Sequence, residues 1–231
     1  APMTALNRAI SPNRRFVLIT GELGAVKAAG KRAGATVNDT LLAIVAGAIG
    51  RYLDAAGPRA DGQPDRAVAL VPVSVRPSGL SEGETGNRIS TVFVDLPVTE
   101  PALAARIAAV AAQTRELKDS AAVQAGALMV GASGFAPPLL SGLLARAMGS
   151  VRAFNLVVSN LPGPQMPFYL DGVPLQAVYP VVPLNPAHQG LTVGIISYDG
   201  RLCVGLLADR DLDPPLAVVA DALARELSGL T

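Results

Sequence analysis

FNLVVSNLPGPQMPFYLDG at residues 154–172 and LTVGIISYDGRLCVGLLAD at residues 191–209 decide the fold of this chain. The first opens with an apolar, β-branched segment, 155–160, which reaches Ser159 and Asn160 and is then stopped by Pro162-Gly163-Pro164. That order predicts a buried strand ending in a polar tip. The second holds two apolar segments, 192–198 and 201–207, joined by Asp199-Gly200. Asp-Gly between apolar strands supplies the positive φ angles that a two-residue hairpin needs. Strands this apolar need helices to cover them.

The rest of the chain supplies those helices and further strands. Residues 36–57, TVNDTLLAIVAGAIGRYLDAAG, place Val37, Leu41, Ile44, Val45, Ala48, Ile49 and Tyr52 at helical spacing, and Gly57-Pro58 ends the run. Upstream, residues 15–20 read as a short strand and 22–33 as a helix with Lys27, Lys31 and Arg32 outward. Downstream, AVALVPVSV at 67–75 reads as a doubly covered strand, and NRISTVFVDL at 87–96 as a second strand with Val92, Val94 and Leu96 on one face. The glycine-rich connection between them suggests that the two pair in one sheet. From Pro101, the residues Leu103, Ile107, Val110, Thr114 and Leu117 form a helical stripe, with Arg106, Arg115, Glu116 and Lys118 assigned to the opposite face. Residues 120–150 read as two helices broken at 134–138. At the end, Asp213 and Pro214 are expected as N-cap and first helical residue, ahead of a buried stripe of Leu216, Val219, Ala220, Leu223 and Leu227. The expected fold is therefore α/β: a two-layer mixed β-sheet covered by helices, in one domain at 15–231, with 1–14 as an N-terminal extension or processed end.

Composition narrows the functions. The 231 residues carry 19 basic and 18 acidic side chains, 4% aromatics and no Trp, with Lys only at 27, 31 and 118. A nucleic-acid surface needs clustered cations interleaved with aromatics, so no nucleic-acid partner is expected. Mean hydropathy is high at +0.40, yet no apolar run reaches the roughly 18–20 residues that span a bilayer. With no compact apolar leader segment and one cysteine, Cys203, a reducing, cytoplasmic setting is expected. Peripheral contact with membrane or lipid inclusions stays open through the apolar stretch 135–151. The chain starts at Ala1, not Met, which suggests a processed chain or part of something longer.

Catalytic chemistry is sparse. One His and one Cys cannot build a metal site at ligand spacing, and the glycine-rich stretches lack phosphate-loop and dinucleotide fingerprints. No Ser sits in a nucleophile elbow. His188, in the loop before the hairpin, is the sole candidate for acid–base work, but a lone loop His is more often solvated or hydrogen-bonded than catalytic, and a substrate contact is a stronger alternative than a base. The remaining candidates are polar residues where apolar elements end: Asn38 and Asp39 in the first turn of the long helix, Arg76 at a strand end, Asn87 at a strand start, and Ser159 with Asn160. Each has a plain alternative. Asn38 and Asp39 suit helix capping, Ser159 and Asn160 a turn cap before Pro162, and Arg76 an ion pair with Asp65, Glu82 or Glu84.

The segments TVNDTLLAIVAGAIGRYL, VPVSVR, GNRISTVFVDLP, SNLPGPQMPFYLDGVPL and GLTVGIISYDGRLCVGLLAD, in that order, resemble the C-terminal half of the bacterial wax ester synthase/diacylglycerol acyltransferase family from residue 15 onward. That family is similar in fold to the chloramphenicol acetyltransferase and condensation-domain superfamily, in which two related α/β halves enclose a cleft. The resemblance implies one chloramphenicol-acetyltransferase-like half here. It also implies an N-terminal half carrying a His-His-x-x-x-Asp-Gly motif, whose second His deprotonates the acceptor hydroxyl for attack on acyl-CoA. This chain has no adjacent His pair, and Gln-Gly follows His188, so no catalytic residue is assigned to it. The implied partners are the N-terminal half, acyl-CoA as co-substrate, and diacylglycerol or a fatty alcohol, with no metal or organic cofactor. By resemblance, Asn38, Asp39, Arg76, Asn87, Ser159 and Asn160 contribute to the substrate wall, and His188 joins them as a substrate-contact candidate from its place in the loop before the hairpin. Two competing readings stand beside this one: a non-catalytic module binding lipid or protein on the same scaffold, and an autonomous enzyme using His188.

Overall fold

Asp199 and Gly200 adopt φ angles of 45° and 77°, the left-handed pair expected of their turn, and they join the two long strands at the centre of the protein. In this computed structural model, residues 1–57, 65–74, 89–119, 153–186 and 188–230 are described. Arg76, Asn87 and the helices expected across 120–150 lie outside them. The elements are β1 (Arg14–Glu22), α1 (Leu23–Arg32), α2 (Val37–Ala55), β2 (Arg66–Ser74), β3 (Ile89–Pro97), α3 (Leu103–Asp119), β4 (Leu156–Pro162), β5 (Tyr169–Leu170), β6 (Val173–Pro174), β7 (Leu191–Tyr198), β8 (Arg201–Asp209) and α4 (Leu216–Ser228).

Six strands form one mixed sheet in the order β1-β8-β7-β4-β2-β3. β4 runs parallel to both β2 and β7, and the β2–β3, β7–β8 and β8–β1 pairs are antiparallel. The expected pairing of β2 with β3 is thus present, in full register from Arg66 with Pro97 to Ser74 with Ile89. Because side chains alternate along a strand, Leu202, Val204 and Leu206 of β8, Leu191, Val193 and Ile195 of β7, and Leu156 and Val158 of β4 enter one core shared with the helices. α2 is buried on nearly every side from Asp39 to Gly50, as the lack of charge over residues 40–50 requires. Cys203 is a buried, free thiol. Among the described residues no single helix is long and apolar enough to cross a membrane. α1 and α2 pass that test only as a pair bent by 99°.

Two expectations need correction. α4 is preceded by Pro215, which makes no side-chain cap, so Asp213 is not the N-cap. The residue before a proline is disfavoured in helical conformation, and Pro214-Pro215 therefore delays the helix to Leu216. Arg106, assigned to the exposed face of α3, is instead 2% exposed. It lies three residues after Leu103 and four before Val110, and those spacings share a helix face. Its guanidinium donates to Ala43 O at 2.9 Å, Glu100 O at 3.0 Å and Pro101 O at 2.8 Å, and pairs with Glu226 of α4. Burial draws the pKa of Arg106 down while Glu226 opposes the shift.

Residues 1–13 lie against the domain. Leu6 is fully buried and its carbonyl accepts from Gly190 N at 2.9 Å. Asn155 is also fully buried, accepting from Val68 N at 2.6 Å and donating to Pro2 O and Asn7 Oδ1 at 2.6 Å each. Asp209, at the end of β8, accepts from the amide and hydroxyl of Ser11 and from Asp211 N. Burial pushes the Asp209 carboxyl up, but those hydrogen bonds and Arg14 outweigh it and hold its pKa below the ordinary value. A depressed folded pKa contributes stability above the unfolded value of about 3.9, and that contribution disappears as pH falls through the folded value. The urea midpoint is therefore expected to fall on acidification below about pH 4, and less steeply in Asp209→Asn. An equally steep fall in the variant would show that another group is responsible.

The second face of the sheet carries a strap. Gly194 and Gly205 are cross-strand partners, and together they admit Pro180: a Cβ on Gly205 would stand 2.1 Å from Pro180 O. Thr192 Oγ1 donates to Val182 O at 2.6 Å, and the hydroxyls of Thr20 and Tyr179 meet at 2.8 Å.

Candidate functional site

The first turn of α2 is fixed by its own sequence. Thr36 is the N-cap, and its hydroxyl accepts from Asp39 N at 3.2 Å while Thr36 N donates back to Asp39 Oδ2 at 2.9 Å. This reciprocal arrangement is a capping box with Asp at the third helical position. The Thr36 hydroxyl also donates to Asp39 Oδ2 at 2.7 Å, and Thr114 Oγ1 of α3 donates to Asp39 Oδ1 at 2.7 Å. Asp39 is consequently buried and acts as an acceptor within the fold.

Asn38, next in sequence and half-buried, takes a different direction. Asn160 Nδ2 donates to Asn38 Oδ1 at 3.4 Å, a long contact between the start of α2 and the end of β4. Asn160 shares the core-facing parity of Leu156 and Val158, but stands where β4 leaves the core, since Leu161 and Pro162 are exposed. Pro162 provides no amide for further pairing, which is why the strand ends there. Ser159 is half-buried on the opposite sheet face, in register with Gly194.

The sequence candidates therefore separate. Asn38 and Asn160 come together; Asp39 is turned into the packing between helices; Ser159 lies across the sheet. His188 is exposed with a φ of 72°. It precedes β7, and Asn160 pairs with Ile195, seven residues further on. His188 thus stands in the loop before β7, whereas Asn160 is opposite the middle of that strand, about 13 Å along it from Leu191. Among the described residues the site offers amide donors and acceptors, with the neighbouring Asp39 carboxylate turned toward Thr36 and Thr114. Among the described residues no cluster of His, Cys, Asp and Glu could hold a metal ion.

After Pro162 the chain is clamped to the β7–β8 hairpin. Gly163 N donates to Ser197 Oγ at 3.2 Å, Gln165 Nε2 donates to Gly163 O at 2.9 Å and to Ser197 Oγ at 3.1 Å, and Gly200 N donates to Gln165 Oε1 at 3.2 Å. Phe168 N donates to the Tyr198 hydroxyl at 2.7 Å. From this base β5 and β6 form a small arm whose apolar residues, among them Met166, Phe168, Tyr169, Leu170 and Val173, are exposed; Leu170 reaches 82%. No Lys or Arg occurs between Arg152 and Arg201.

Sequence reading missed the clamp, Arg106 and the role of Thr114. A threonine inside an otherwise apolar helical stripe was the available signal for the last of these, because a buried hydroxyl needs a partner.

A mixed sheet covered by helices, with its polar pair at a strand end, defines one half of a chloramphenicol-acetyltransferase-like fold. The epimerization domain of tyrocidine synthetase B shares that fold, with a TM-score of 0.64 over 100% of this chain and 51% of its own at 14% identity. Residues 85–231 match the WS/DGAT C-terminal domain, and the chain belongs to that family. A putative diacylglycerol O-acyltransferase of Mycobacterium tuberculosis is 36% identical over 227 residues, 95% of this chain and 44% of the relative. The wax ester synthase/diacylglycerol acyltransferase of Marinobacter aquaeolei VT8 superposes with a TM-score of 0.72 at 28% identity, over 100% of this chain and 51% of its own. The chain spans about half the length of these relatives.

Proposed function

We propose that this domain forms one wall of the substrate channel of an O-acyltransferase that moves a long-chain acyl group from acyl-CoA to diacylglycerol or a fatty alcohol. The observation that carries the reading is the Asn38–Asn160 contact toward the end of β4, a hydrogen-bonding site built of two amides. The base is a histidine of an N-terminal half bearing the His-His-x-x-x-Asp-Gly motif. That histidine takes the acceptor's hydroxyl proton, the oxygen attacks the thioester carbonyl, and the C–S bond breaks to release CoA, which leaves with the proton. Asn38 and Asn160 orient the reacting groups through their amides, and Arg76 and Asn87 join the wall by resemblance. Acyl-CoA is a co-substrate, and the reaction uses no metal or organic cofactor. We place the enzyme in the cytoplasm, at the surface of membrane or lipid inclusions.

The exposed arm supports the same reading. Its apolar residues stand on a hydrogen-bonded base, and the absence of cations over 153–200 suits a protein partner better than an anionic lipid surface. Taken alone the arm also fits a non-catalytic binding module, so the test must separate the two. This chain is mixed with an N-terminal half carrying the His pair, and CoA release is followed with acyl-CoA plus diacylglycerol. Release is expected from the mixture and from neither half alone. Leu170→Asp is expected to weaken pairing at least about tenfold, as loss of a buried apolar anchor does, with the unfolding midpoint of the isolated chain unchanged. Halves that pair without any CoA release would favour the binding module; halves that neither pair nor react would overturn both.

A further inference from the structure

The Asn-Asp pair at the head of α2 divides its work between two helices. The Asp39 carboxylate holds three donors, Thr36 N and Thr36 Oγ1 on Oδ2 and Thr114 Oγ1 on Oδ1, and the residue is 4% exposed. Sitting in the first turn, it also supplies the negative charge that a helix N-terminus favours. Three of its roughly four acceptor sites are thus committed within the fold. Asn38 is turned about 100° away around the helix and meets Asn160.

Elsewhere α2 and α3 meet through apolar side chains such as Ile107 and Val110 and, further along α2, through Arg106, which donates to Ala43 O at 2.9 Å. Apolar contacts set the separation of two helices but are not directional, whereas a hydrogen bond is directional. Arg106 grips α2 about one turn further on, at Ala43, so the Thr114–Asp39 bond is the directional contact with α3 at the turn that carries Asn38. We propose that Asp39 and Thr114 are positioning residues: they hold Asn38 against Asn160, and neither touches substrate. This rests on the reading of the Asn38–Asn160 site as part of the acyltransferase wall.

Thr114→Val keeps the shape of the side chain and removes the donor; Thr114→Ser keeps the donor. In this chain by itself, the side-chain amide NMR resonances of Asn38 and Asn160 are expected to move in Thr114→Val and to stay near their original positions in Thr114→Ser. In the complete enzyme with both halves present, Thr114→Val is expected to lower kcat about tenfold, since small misplacements of an orienting group have effects of that size. KM for acyl-CoA changes by less than about twofold, because an orienting group contributes to the transition state more than to binding. Thr114→Ser restores the rate. Combined with Asn38→Ala, Thr114→Val adds no further loss, because it acts through Asn38. Unmoved resonances, or losses that add fully, would overturn the proposal. Resonances that move while acyl transfer is unaffected would uphold the positioning and sink the assignment of the Asn pair to the substrate wall.

Discussion

Arg106→Ala is expected to destabilise the chain by about 3–5 kcal/mol, the cost of breaking a buried ion pair from one side. For a domain of this size that lowers the melting temperature by roughly 10 °C or more. The guanidinium ties four places together: Ala43 O in α2, Glu100 O and Pro101 O at the head of α3, and Glu226 in α4. Removing it leaves three carbonyls without that donor and takes from Glu226 the buried partner of its carboxylate. Arg51, paired with Glu226 at 2.8 Å and about half exposed, remains as a weaker counter-charge. The double replacement Arg106→Met with Glu226→Leu is expected to recover part of the loss, since the penalty comes from stranding a charge and not from lacking one. Urea denaturation of the single and double variants checks this. A single variant within about 1 kcal/mol of the parent, as a surface pair would give, would contradict the buried assignment.

Gly50→Ala is the second large effect. A Cβ built at Gly50 stands 2.2 Å from Val98 O, well inside any real carbon–oxygen contact, and the obstructing atom is backbone. Either α2 or the segment joining β3 to α3 must move. Overpacking of this kind costs about 1–3 kcal/mol and sometimes more; the rigidity of both partners places Gly50→Ala near 3 kcal/mol. Helix propensity alone points the other way, favouring Ala over Gly by roughly 1 kcal/mol. The sign of the change in urea midpoint is therefore decisive: a stabilised variant would rule out the close approach. Gly47 belongs to the same contact, since a Cβ there would meet Arg106 Nη2 and Glu226 Oε1 at 2.6 Å. The two glycines let the buried ion pair and the Val98 carbonyl come up against α2.

Local signals were sufficient for most elements. Asp199-Gly200 defined the β7–β8 hairpin, alternation placed Val94 and Leu96 inward on β3, and the apolar stripe of α4 is buried as spacing predicts. The order of segments also sufficed for the family, since five short motifs in register carry more information than any one of them. Local reading failed where a polar residue sits in an apolar stripe. Arg106 and Thr114 lie at helix positions that periodicity assigns correctly to a face, but charge in one case and the lack of any visible partner in the other hid what they do.

The candidate site shows the same division. Adjacent residues on a helix point about 100° apart and on a strand about 180° apart, so Asn38 with Asp39, and Ser159 with Asn160, looked like pairs in sequence and are not pairs in space. What the sequence by itself determined is the class of fold, the central hairpin, the capped start of α2 and the absence of an adjacent His pair, because each depends on residues close together in the chain. Only the tertiary structure decided that Asn38 meets Asn160 across 122 residues, that Asp39 answers to Thr114, and that Asn160 is opposite the middle of β7 while His188 stays in the loop before it. Those facts depend on which strands run parallel and on how α2 lies across them, and such long-range geometry is set by packing of the whole core and not by any local pattern.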